Sequence, residues 1–103
     1  MVSARVKKGL AEALRLRVAL ARTQREVGEL QRQLRTITED QKRLRANLRE
    51  MPRTARAYKR YLDKFDRQET QIEKYQADIK EFQATEHKQK KALDDFLVAF
   101  SAD

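Results

Sequence analysis

The residues of this 103-residue chain that could do chemistry are few, and they fall into three groups. His87 is the single histidine, set between Glu86 and Lys88. Two acidic doublets follow, Glu39-Asp40 and Asp94-Asp95. The third group surrounds the only proline, Pro52: from Lys42 to Arg60 there are eight basic residues and one acid, Glu50. A histidine beside carboxylates could serve acid–base chemistry or hold a metal. Here there is no second histidine and no cysteine to complete a zinc site or a nucleophile–base pair. Gly9 and Gly28 stand alone, so no glycine-rich phosphate loop exists. The expectation is a non-enzyme with no catalytic residue, metal, cofactor or small-molecule substrate.

The basic group is the stronger chemical signal. Arg45, Arg49, Arg53, Arg56, Lys59 and Arg60 form a candidate basic tip, with many of them within about one Debye length (~10 Å) of each other. Such a tip could meet nucleic-acid phosphates, anionic lipid headgroups or an acidic protein. The plainer reading is a solvated surface whose arginines are simply good helix formers. Membrane contact ranks last, because the tip lacks an apolar face to insert. Tyr58 and Tyr61 could suggest base stacking, but their spacing places them on an apolar seam instead.

That seam defines the elements. From Val2 to Met51 a three–four alternation runs through Val6, Gly9, Ala13, Leu16, Leu20, Thr23, Val27, Leu30, Leu34, Ile37, Gln41, Leu44 and Leu48. It restarts at Tyr58 and continues through Tyr61, Phe65, Gln68, Ile72, Tyr75, Ile79, Phe82, Glu86, Gln89, Leu93 and Phe96 to Phe100. This is a heptad pattern, diagnostic of helices packed along a seam. With 39% charged residues, two glycines and one proline, the composition also suits long helices rather than a domain with many turns. Pro52 disfavours helix at Met51 and lacks an amide donor, so it marks the break. Thr54 could cap the second helix. The expected boundaries are helix 1 at about 3–50, a turn at about 51–55 and helix 2 at about 56–100.

If the chain reverses near residue 54, facing residues have numbers summing to 109. Leu48 then faces Tyr61, Leu44 faces Phe65, Ile37 faces Ile72, Leu30 faces Ile79 and Val27 faces Phe82. Polar positions coincide too: Gln41 meets Gln68, a layer expected to fix alignment at some cost in stability. Near the termini small meets large, with Gly9 opposite Phe100. The fold class is therefore all-α, a long antiparallel two-helix coiled-coil hairpin. Residues 1–51 carry 13 basic and 6 acidic side chains, against 7 and 10 for residues 61–103, which favours pairing within the chain.

A second apolar stripe lies off the seam. Leu10, Leu14, Val18 and Ala21 recur at four, four and three, and Leu97 and Val98 add apolar surface on helix 2. Two helices cannot bury both stripes, so Leu10, Leu14, Val18, Leu97 and Val98 form a candidate docking face. It suits a second copy, giving a four-helix assembly, or a neighbouring domain. No stretch is apolar enough to cross a bilayer, and the first residues lack the apolar core of a signal peptide, so a cytoplasmic location is the default expectation.

The block Asp40-Gln-Lys-Arg-Leu-Arg-Ala-Asn-Leu48 before the turn, followed by Arg60-Tyr-Leu-Asp-Lys-Phe-Asp-Arg-Gln-Glu69, resembles the C-terminal helical hairpin of bacterial proteins related to the mucoidy inhibitor A family. The similar features cover about a third of the chain. The resemblance implies a segment of a larger protein, with the hairpin projecting from a β-rich parent at its apolar base. It implies no catalytic or ligand residues. The functional expectation is a structural or protein-interaction arm, with a nucleic-acid-binding arm using the basic tip as the alternative.

Overall fold

The computed structural model describes residues 2–102, and among them there are two elements and no strand. Helix α1 runs Ala4–Glu50 and helix α2 runs Arg56–Ala102, 47 residues each. The residues between them, Met51 to Ala55, form the turn. Together they make an all-α helical hairpin, as the paired heptads require.

Local chemistry sets the ends. Ser3 caps α1: its hydroxyl accepts from the Val6 amide at 3.2 Å and its carbonyl accepts from the Lys7 amide at 3.0 Å. A serine immediately before a helical run is a standard start signal, and Ser3 directly precedes Ala4. At the turn, the Ala55 amide donates to the Pro52 carbonyl at 3.0 Å and the Tyr58 amide to the Ala55 carbonyl at 3.1 Å. Thr54 does not cap α2. The helix begins at Arg56, which puts Ala55 at the cap position, and the exposed Thr54 hydroxyl makes no hydrogen bond. The reversal following Pro52 satisfies its amides from the backbone instead, leaving the threonine one residue too early to act.

The chain divides into two compact units, one formed by Glu29–Ile79 and the other by the outer parts of both helices. In the first, residues 29–50 of α1 pack against residues 56–79 of α2. Leu44 is completely buried and Ile79 nearly so, while Leu30, Leu34, Ile37, Tyr61, Phe65, Ile72 and Tyr75 are half-buried. In the second, Val27 and Leu93 are buried, with Val6, Leu16, Leu20, Phe82 and Phe96 half-buried beside them. Every expected seam position from Val6 onward is buried or half-buried, and every one of the intervening cations is exposed except Lys64. A two-helix seam shields each layer from two sides only, which is why so few of its residues are fully covered.

The outer unit fixes its register by shape. Gly9 is buried under the Phe100 ring, so that a Cβ at residue 9 would fall within 3.0 Å of Phe100 Cδ2, Cε2 and Cζ. Phe100 stacks on Phe96 with centroids 5.8 Å apart, and the Arg5 guanidinium lies 5.1 Å from the Phe100 ring centre. Thr23 is buried in the same unit without a partner on α2, because its hydroxyl donates to the Ala19 carbonyl one turn back at 3.2 Å.

Candidate functional site

The residues with chemical potential occupy three places. The first is the polar layer of the Glu29–Ile79 unit. Gln41 and Gln68 are 4% and 7% exposed, so the heptad reading puts both in the seam as expected. Their side chains do not bond each other. Gln41 Nε2 donates to Glu69 Oε1 at 2.8 Å, and Gln68 Nε2 donates to Asp40 Oδ2 at 2.6 Å. Each glutamine thus reaches past its counterpart to the acid beside it, and the exchange is reciprocal. A buried amide bonded to a carboxylate at the seam edge gains a charge-assisted bond, which an amide–amide pair would not supply. Gln68 Oε1 remains buried without a partner.

Asp40 is the centre of that layer. It accepts from Arg43 Nε at 3.0 Å and pairs with Lys64 at 3.4 Å across the seam. The Arg43 guanidinium, then the Gln68 amide, hold its carboxyl below the usual carboxylate range. Glu39, the other member of the doublet, is exposed. In the outer unit Asp95 is engaged with Lys91 at 2.8 Å, and both Asp94 and His87 are exposed. Among the described residues no group of three or more histidines, cysteines or acids could hold a metal.

The second place is the candidate docking face in the outer unit. Leu10, Leu14, Val18, Leu97 and Val98 are between 39% and 70% exposed, as the off-seam spacing predicts. Val18 also lines an open, largely apolar groove with Arg17, Leu20, Ala21, Gln24 and Leu93. With Val2, six large apolar side chains of this unit are exposed; scattered single ones need no explanation, whereas a contiguous patch does.

The third place is the basic tip. Arg45, Arg49, Arg53, Arg56, Lys59 and Arg60 are all exposed. Arg45 lies 5.5 Å from the centre of the Phe65 ring, covering the aromatic face at the seam edge. Arg56, Lys59 and Arg60 share a shallow groove with Asp63 and Arg67. Arg67 was outside the tip as read from the sequence, because a window centred on Pro52 stops short of it. The helical spacing 56, 60, 67 is the signal that would have included it. Tyr58 and Tyr61 are half-buried in the seam, not displayed.

Neither helix is long and apolar enough over any stretch of the described residues to cross a membrane. No protein-family model matches the chain, and no curated protein or solved structure is significantly similar to it.

Proposed function

We propose that this hairpin is a non-catalytic protein-interaction element that docks through its outer unit onto a second copy of itself or onto a neighbouring domain. The observation that carries the reading is the exposure of Leu10, Leu14, Val18, Leu97 and Val98, all in the outer unit. Full burial of such a side chain contributes about 1.5–3 kcal/mol, and these are already partly covered, so each offers roughly 1 kcal/mol on docking. Five of them supply about 5 kcal/mol, near the lower end of the ~4–15 kcal/mol that association costs. A two-fold pairing counts every residue twice and brings the gross gain to about 10 kcal/mol, which favours the isologous four-helix assembly. The resemblance to the mucoidy inhibitor A family offers the other occupant, a neighbouring domain at the same base.

Sedimentation velocity and light scattering over a wide concentration range test the reading. Weak, concentration-dependent dimerisation is expected, abolished by Leu10→Ser with Leu14→Ser and Val18→Ser while helix content is retained. A chain that stays monomeric at every concentration and binds no protein through this face would remove it.

A further inference from the structure

We propose that the exposed cations around the turn bind the sugar-phosphate backbone of a nucleic-acid duplex without reading its bases. The site comprises Arg49, Arg53, Arg56, Lys59, Arg60 and Arg67, all within the Glu29–Ile79 unit and independent of the apolar face.

Four features of the tip separate it from an ordinary solvated surface. Of the eight cations from Lys42 to Arg60, only Arg43 makes an ion pair, although Glu50 lies exposed among them and Asp63 just beyond. Arg22, Arg25, Lys88 and Lys90 of the outer unit make no ion pair either, so what distinguishes the tip is its density of one sign, eight cations to one acid from Lys42 to Arg60. Secondly, α2 begins with Arg56, Lys59 and Arg60 and has no acid in its first turn. This reverses the preference of a helix N-terminus for negative charge and sets like charges three and four residues apart. α1 likewise opens on Arg5, Lys7 and Lys8 with no acid in its first turn, so what sets the turn apart is that its cations continue without a break in sign through Arg53, Arg56, Lys59 and Arg60.

Thirdly, the cations follow a line. Arg56, Lys59, Arg60 and Arg67 border one shallow groove, in which Asp63 is the single acid. From residue 56 to 67 the helix rises about 16 Å, a length over which a duplex presents roughly ten phosphate charges. A single bound anion would use one end of such a line, whereas a polyanion with regular spacing uses its length. Fourthly, the tip offers nothing for bases. Tyr58, Tyr61 and Phe65 are withdrawn into the seam, and Arg45 covers Phe65. Single-strand binders need exposed aromatic faces on which to stack bases, so the geometry favours the stacked, phosphate-lined duplex. A membrane surface fits less well, because Leu62 is the one large apolar side chain exposed near the tip.

Fluorescence anisotropy tests the proposal with mixed-sequence RNA and DNA duplexes, the matching single strands, and phosphatidylserine vesicles in parallel. The tip variant carries Arg53→Gln, Arg56→Gln, Lys59→Gln and Arg60→Gln. A control with the same net charge carries Arg22→Gln, Arg25→Gln, Lys88→Gln and Lys90→Gln at exposed positions of the outer unit. With four phosphate contacts, log K should fall against log salt with slope about −3.6, a loss of roughly 150-fold between 50 and 200 mM. Two unrelated duplex sequences should bind alike, and the RNA and DNA arms identify which backbone is preferred. The control should retain binding and slope; the tip variant should lose both while its circular dichroism stays helical. Equal loss in both variants would reduce the effect to net charge and overturn the proposal. So would tighter binding of single strands, binding to vesicles alone, or no duplex binding at 50 mM salt.

Discussion

Replacing Gly9 by alanine and replacing Gly28 by alanine make the same chemical change within one helix, and the structure gives them opposite signs. In a helix interior, glycine is about 0.8–1.0 kcal/mol less favourable than alanine. At Gly28 a Cβ meets nothing within 4 Å, so the full gain should be realised. At Gly9 the new methyl would overlap the edge of the Phe100 ring, and something must move. The Gly9 backbone is held by helix hydrogen bonds in the second turn of α1, whereas the Phe100 ring is a side chain in the last turn of α2 that can rotate, so the ring yields. Swinging it away gives up the Phe96 stack, worth about 0.5–1.5 kcal/mol, and the Arg5 contact, worth about 0.5–1 kcal/mol at an exposed site. Apolar burial of the ring is lost in addition. The losses exceed the propensity gain, leaving Gly9→Ala about 1 kcal/mol less stable than the parent and about 2 kcal/mol below Gly28→Ala. At roughly 4–8 °C per kcal/mol for a chain near this size, the two variants should melt about 8–16 °C apart. Thermal unfolding followed by circular dichroism, at fixed protein concentration, reads the difference. In a Phe100→Ala background the Gly9 substitution should become stabilising, because the obstacle is gone. Equal stabilisation by both alanines in the parent chain would refute the placement of Phe100 on Gly9, and with it the register of the outer unit.

The polar layer and its acid yield two further expectations. Replacing Gln41 and Gln68 together by leucine removes the unpartnered Gln68 Oε1 from the seam, a group that costs about 1–3 kcal/mol buried, while Asp40 and Glu69 can rehydrate at the edge. Urea unfolding should therefore show a net gain of about 1 kcal/mol, and a clear loss would show that the reciprocal amide–carboxylate bonds outweigh the buried carbonyl. For Asp40, the depressed folded-state pKa means that its stabilising contribution is present above the ordinary carboxylate range and lost as pH falls through the lowered value. Glu12 and Glu29 are lowered in the same direction by Arg15 and Arg32. Melting temperature should thus decline on acidification below about pH 4, and Asp40→Asn should flatten part of that decline while lowering stability at neutral pH. An unchanged acid limb in the Asn variant would mean that Asp40 is screened by solvent and carries none of it.

Much of the fold was legible because it follows from a one-dimensional rule. The seam residues from Val6 to Phe100 keep a strict three–four alternation, and side chains on a helix return to one face at that interval whatever they pack against. The exposure of Leu10, Leu14 and Val18 was legible for the same reason, since they lie off that face and two helices supply no second neighbour to cover them. The tip cations were visible as composition, and their exposure follows from the high cost of burying an unpaired charge. Ser3 carries a cap signal of its own in the sequence, a hydroxyl residue directly before the first helical turn, which the heptad spacing does not encode.

The sequence by itself determined that this chain is two helices, where it turns, and which residues of each helix face the other. Only the tertiary structure decided what those residues do on meeting. Gln41 and Gln68 face each other by number yet bond to Glu69 and Asp40. The length of a glutamine side chain lets it reach a neighbour's acid, and a carboxylate at the wet edge is the better acceptor. Gly9 looked like a weak point in a helix and is the hollow that admits Phe100. Thr54 had the chemistry of a cap and lost the position to Ala55, because the turn after Pro52 used backbone amides first. Periodicity specifies a face. Partner choice depends on reach, offset and solvent at distances of a few ångströms, which no count along the chain contains.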